Sequence, residues 1–262
     1  MRWFVLGFVV LAALVAVASG TTGASGATVL WDTSHGVYLN YEPAGRYSEL
    51  VTLLAANSIA LHTTSDGFLV DSPNGYDAIV VCNPSSYNTA YGSAEVSVIR
   101  DYVSSGGGLL IMADNTNTRN ANIQPVASAF GVTVGVSDIV PLDTYTTVLA
   151  PHAIFDGISE IYMRAAGEIE SSSPLAEVAW QSGTGKELVA AGYYGLGSVV
   201  VMGDSNTFDN GSQYLGAVDN TPFALNTFEY ITSAVIPEPS TLLVWSLLAA
   251  LGIGWGAYRR KR

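Results

Sequence analysis

Four short polar clusters hold the side chains best suited to chemistry: Asp32-Thr33-Ser34-His35, Asn83-Pro84-Ser85-Ser86, Asp114-Asn115 and Gly203-Asp204-Ser205-Asn206. Each follows a short apolar run. If those runs are strands of one open sheet, the clusters gather on its carboxyl edge, where α/β folds bind ligands. Asp32, Ser34, His35, Asn83, Asp114, Asp204 and Asn206 are therefore the candidate ligand-binding rim. The same residue types also cap helices and close turns. A hydrolase is the alternative, with Ser34 as nucleophile beside His35 and Asp204 in support. Neither Gly-x-Ser-x-Gly nor Gly-x-Cys-x-Gly is present, so the glycine-flanked elbow that exposes a nucleophile is missing. No catalytic residue is assigned. The single cysteine, Cys82, ends an apolar run and reads as a buried residue.

Metal and nucleotide chemistry have weaker support. His35, His62 and His152 are far apart and form no His-x-x-x-His pair. The run from Asp204 to Gly211 places oxygens at alternate positions but lacks the closing glutamate of a calcium loop. No Gly-x-Gly-x-x-Gly follows the first strand, and Gly106-Gly107-Gly108 precedes a strand, as a turn does, not a phosphate cradle. No metal and no cofactor is expected. Tyr38, Tyr41, Tyr87 and Tyr91 fall in loops beside the polar clusters, either as faces for sugars or as packing between loop and core.

The elements that would position these residues alternate. Thr28–Trp31, Ser58–Thr63, Ala78–Cys82 and Leu109–Met112 read as strands, the last two continuous enough for burial on both faces. Tyr47–Ala56, Ser93–Val103 and Asn122–Phe130 carry helical spacing, with Ser93 a candidate N-cap. Further strands are expected at Glu177–Trp180, Leu188–Tyr193 and Ser198–Met202, the first two joined by a hairpin through Gly183-Thr184-Gly185, and a last helix near Thr221–Thr232. Repeated β-α-β units predict an α/β fold, an open sandwich with a mostly parallel sheet, in one domain over residues 27–235.

The ends differ from this domain. Met1-Arg2, an apolar run from Trp3 to Val17 and Ala18-Ser19-Gly20 have the three parts of a secretory signal peptide, taken as residues 1–26. Residues 236–262 contain Pro237-Glu238-Pro239-Ser240, an apolar stretch to Tyr258 and Arg259-Arg260-Lys261-Arg262. As a transmembrane helix the stretch spans roughly 27 Å, enough for a hydrocarbon core. The basic cluster holds the tail end in the cytoplasm and leaves the domain outside. The formal charge is −12, and the ends take half of the ten basic residues but only one of the 22 acids. The domain is thus strongly acidic, which disfavours nucleic acid and suits cations or neutral ligands.

The tail resembles the PEP-CTERM sorting signal in all three parts and their order. That resemblance implies recognition by a membrane exosortase, cleavage near Pro237, Glu238, Pro239 and Ser240, and transient membrane anchoring before release or surface attachment, in bacteria that often make exopolysaccharide biofilm. Asp32-Thr33-Ser34-His35-Gly36, Gly106 to Met112, Asn122 with Phe130-Gly131-Val132, and Pro151-His152-Ala153-Ile154-Phe155-Asp156-Gly157 recur in the order of another family. They resemble the glutamine-amidotransferase-like domains of gliding-motility and intraflagellar-transport proteins. This implies a flavodoxin-like, class I glutamine-amidotransferase-like core with a non-catalytic role in binding or assembly. Exopolysaccharide is the candidate ligand and exosortase the expected partner.

Overall fold

The computed structural model describes residues 26–82, 90–116 and 119–233. The expected signal peptide, the sorting motif, the transmembrane helix, Asn83 and Tyr87 lie outside the described residues.

The first half alternates as expected: β1 (Ala27–Asp32), α1 (Ser48–Ala56), β2 (Ile59–Thr64), β3 (Ala78–Cys82), α2 (Ser93–Ser104), β4 (Gly108–Met112) and α3 (Asn120–Ala129). The second half is mainly strands: β5 (Val132–Asp138), β6 (Asp143–Thr146), β7 (Val148–Leu149), β8 (Ile161–Arg164), β9 (Gly167–Ser171), β10 (Ala176–Trp180), β11 (Glu187–Tyr194) and β12 (Gly197–Met202). It closes with α4 (Asn220–Thr232). A 10-stranded sheet has the order β2-β1-β3-β4-β12-β11-β10-β7, with β9 joining β11 and β5 joining β9. Strands β6 and β8 form a separate antiparallel pair.

The centre of the large sheet is parallel, from β2 through β1, β3 and β4 to β12. Its side chains alternate between two cores, as the pleat requires. Trp31, Val80, Leu110, Met112, Val200 and Met202 face α1 and α4, whose Leu50, Leu54, Phe223 and Phe228 cover them. Leu30, Ile79, Val81, Leu109, Ile111 and Val201 face α2 and α3, with Ile99, Val103, Ile123 and Val126. Burial on both faces explains why β3 and β4 read as continuous apolar runs, and β12 is buried along its whole length as well.

Three expectations need correction. Ser93 is the first helical residue of α2, and the cap is Gly92, whose N–H donates to Glu95 Oε2 at 3.0 Å. The helix expected from Asn122 begins at Asn120. The Asn120 side chain exchanges hydrogen bonds with Asp114 N–H and carbonyl and donates to the Asn115 carbonyl, so the chain after β4 is tied to the helix start. Finally, residues 132–171, for which the sequence predicts no strand, form β5 to β9. Of these, β5, β7 and β9, with β10 and β11, extend the large sheet in antiparallel pairs, so the parallel character belongs to its centre. No helix among the described residues is long and apolar enough to cross a membrane.

Candidate binding rim at the carboxyl edge of the sheet

Parallel pairing places the ends of β1, β3, β4 and β12 on one edge. Cys82 pairs with Met112 and Met112 with Met202, so Asp114 and Asp204 follow their strands by the same two residues. The six described rim residues lie along this edge in two hydrogen-bonded groups.

The first group centres on Asp32. Its Oδ1 accepts the Ser34 N–H at 2.8 Å and its Oδ2 accepts the Tyr91 hydroxyl at 2.5 Å. The Tyr91 ring stacks on His35 with centroids 3.8 Å apart. His35 Nε2 lies 3.0 Å from Glu95 Oε1. Burial first, then the Asp32 charge, pushes the Tyr91 phenol well above its usual range, so it stays a donor. Glu95 thus caps α2 with one oxygen and meets His35 with the other.

The second group centres on the turn after β12. Asp114 Oδ2 accepts Arg119 Nη2 at 2.9 Å and Ser205 Oγ at 3.3 Å. Asp204 is fully buried and accepts the N–H groups of Arg164 and Asn206 and the Thr207 hydroxyl, each at 2.8 Å. Burial, then the nearby Asp114 charge, pushes its carboxyl up to about 7 against the pull of those donors. Asn206 accepts the Tyr41 hydroxyl and donates to the Arg164 carbonyl.

The loop between β1 and α1 spans both groups. Tyr38 lies beneath the Arg119 guanidinium at 3.8 Å, and Tyr41 beneath that of Arg46 at 4.3 Å. Arg46 in turn pairs with buried Asp209. Tyr41 and Tyr91 are buried and Tyr38 is half-buried, so these aromatics pack the loops and do not form an open sugar platform. Within the calcium-like run, the carboxylates of Asp204 and Asp209 and the amide oxygen of Asn206 are each engaged by protein donors.

Tyr91, Glu95 and Arg119 organise the rim; the sequence places Tyr91 in a loop beside the polar clusters but singles out neither Glu95 nor Arg119. Arg119 had a usable signal. It is one of five cations in a domain rich in acids, and all five, Arg46, Arg100, Arg119, Arg164 and Lys186, sit on carboxylates.

The nucleophile–base pair of the hydrolase alternative is not assembled. Ser34 Oγ is buried with no hydrogen-bond partner, and a Cβ at Gly67 would lie only 2.9 Å from it. Cys82 is buried, the Tyr47 hydroxyl is 3.2 Å from its sulfur, and burial pushes its thiol far up, against thiolate chemistry. Ser34→Ala deletes a buried hydroxyl that bonds nothing. The expected result is unchanged or slightly raised stability, by up to about 1 kcal/mol. Urea denaturation of the full chain checks it, and a loss above that size would show an unrecognised role for Ser34.

No protein-family model and no curated protein matches the chain. Solved structures do match in shape. The mmIFT52 N-terminal domain superposes with a TM-score of 0.67 at 15% identity, over 79% of this chain and 98% of that one. The cytoplasmic protein STM1381 from Salmonella typhimurium LT2 gives 0.59 at 18%, over 79% and 100%. The exo-beta-1,4-mannosidase Op5Man5 from Opitutaceae bacterium strain TAV5 gives 0.50 at 15%, over 78% of this chain but 35% of its own. At these identities the likeness defines a fold, not a function. The chain is a mixed α/β protein with a largely parallel central sheet.

Proposed function

We propose that this chain is an exported bacterial envelope protein, processed by an exosortase at the cell surface, whose α/β domain works in binding or assembly. The carrying observation is the order of the terminal segments. A basic-apolar-small leader precedes the domain, and Pro237-Glu238-Pro239-Ser240, an apolar stretch and Arg259-Arg260-Lys261-Arg262 follow it. The finer assignment of the core to the flavodoxin-like, class I glutamine-amidotransferase-like type rests on the motif order. The non-catalytic reading is supported by the unpaired Ser34 hydroxyl and the buried Cys82 thiol. Exopolysaccharide is the proposed ligand class, approached along the edge that carries Asp32, His35, Asp114 and Asn206.

The test is mass spectrometry of the protein from an exosortase-positive host and from the same host with the exosortase deleted. The expected mature form lacks the basic tail only in the first host, and Glu238→Ala blocks that loss. An identical mature mass in both hosts rejects the exosortase assignment. Pull-down against acidic and neutral polysaccharides tests the ligand separately, and retention by none of them rejects that part alone.

A further inference from the structure

The parallel strands start together on the edge opposite the rim, the amino edge of the sheet. Both ends of the domain leave there. Gly26 and Ser233, its first and last described residues, line one hollow with Asn57, Ser58 and Glu229. A second hollow shares Thr232 with the first and continues the surface to Asn74 and Ser105. The turn between β11 and β12 closes the row, where the Leu196 N–H donates to the Ser104 carbonyl at 3.0 Å.

This edge escapes the acidity of the rest of the domain. Residues 57–58, 73–77, 105–107 and 193–197 carry a single charged side chain, Asp77, whose Oδ2 accepts the Thr28 N–H at 2.7 Å. Asp101 and Glu229 stand about one turn back from the ends of α2 and α4. Tyr193 is 53% exposed and Leu196 is 48% exposed. An edge with little charge and an exposed tyrosine and leucine fits the headgroup region of a bilayer, where amphipathic rings settle. The carboxyl edge also exposes apolar side chains, Leu39, Leu69 and Val70, but there Glu42, Asp66 and Asp71 stand among them. Anionic lipid repels such a surface.

The tether acts in the same direction. Under the tail anchor proposed above, the eight residues 234–241 join α4 to the apolar stretch. Fully extended, they reach at most about 30 Å. A domain of this size is roughly 40 Å across, so a chain that leaves from the amino edge is too short for the rim to meet the bilayer.

We propose, on the basis of that tail anchor, that the amino edge is the surface the domain lays against the bilayer before cleavage, with Tyr193 and Leu196 among the lipid headgroups and the acidic rim directed outward. The short tether holds the edge close to the lipid, so a weak contact suffices. The rim is then open to ligand while the tail is still in place.

The experiment places one fluorophore at a time on the full chain, through Asn57→Cys, Leu196→Cys or Val70→Cys. All three positions are exposed, and native Cys82 is buried and does not label. The labelled chains are reconstituted into vesicles of phosphatidylethanolamine and phosphatidylglycerol that carry nitroxide-labelled headgroups. The expected result is quenching at 57 and 196 about threefold or more that at 70. Leu196→Glu, which puts a charge in the exposed turn, should lower quenching at Asn57→Cys about twofold or more without lowering the melting temperature. Equal quenching at the three positions, stronger quenching at 70, or no effect of Leu196→Glu overturns the proposal. Flotation of the vesicles separates the two readings. A chain that does not float with them rejects the tail anchor and this surface with it, whereas a chain that floats with equal quenching rejects the surface alone.

Discussion

Gly108→Ala lowers stability by about 3 kcal/mol, near the upper end for overpacking a core. A Cβ at this position would lie 1.8 Å from the Ile231 carbonyl oxygen and 2.9 Å from its Cβ. Gly108 opens β4, where α4 crosses the sheet, and its N–H donates to the Asp77 carbonyl at 2.9 Å. Neither side can retreat easily. Phe223, Phe228 and Ile231 anchor α4 in the core, and Ser198 Oγ on β12 donates to the Tyr230 carbonyl beside them. Equilibrium denaturation of the full chain measures the loss, which corresponds to a melting temperature lower by roughly 6–12 °C. Gly75→Ala is the control, because a Cβ there meets nothing within 4 Å. Equal stability of the two variants would show that α4 does not lie on β4 as described.

Arg119→Met costs about 3 kcal/mol for a different reason. The Asp114 side chain is 6% exposed and that of Arg119 is 13% exposed, so the pair is largely shielded from water. Removing the cation leaves a buried carboxylate beside the buried Asp204, and loss of one partner from such a pair is strongly destabilising. The methionine retains much of the apolar stem over Tyr38, which separates lost charge from lost packing. Asp114→Asn placed in the Arg119→Met background should recover about half of the loss, since the amide needs no counter-charge. A double-mutant cycle by urea denaturation gives the coupling. Additive effects of the two changes would mean that the ion pair does not organise this end of the rim.

The elements legible in the sequence were those whose burial is uniform or strictly periodic. Strands β3, β4 and β12 are buried throughout because helices cover both faces, and α4 differs from its expected start by one residue. The hairpin through Gly183-Thr184-Gly185 was legible from its turn residues, and both end glycines adopt positive φ. Residues 132–171 were not legible. Strand β5 has seven residues but is only partly buried, β6 has four, and β7 has two residues held by pairing with β10. Such segments become strands because a partner edge is available, and that edge lies some 30 residues further along the chain.

The rim divides in the same way. Asp32, Ser34, His35, Asp114, Asp204 and Asn206 could be placed on one edge from the sequence, because parallel strands must end together. Their chemical states could not. Ser34 is next to His35 in sequence, yet its hydroxyl bonds nothing while His35 turns to Glu95, sixty residues away. Asp204 is raised by burial and by Asp114, and Glu187 by burial and by glutamates on two other strands. The sequence by itself determined the alternation of apolar runs, the acidic excess and the character of the two ends, because these depend on composition and local order. Only the tertiary structure decided which carboxylates are paired, which are desolvated and which loop aromatics are covered, because those energies depend on distances of a few ångströms between residues far apart in the chain.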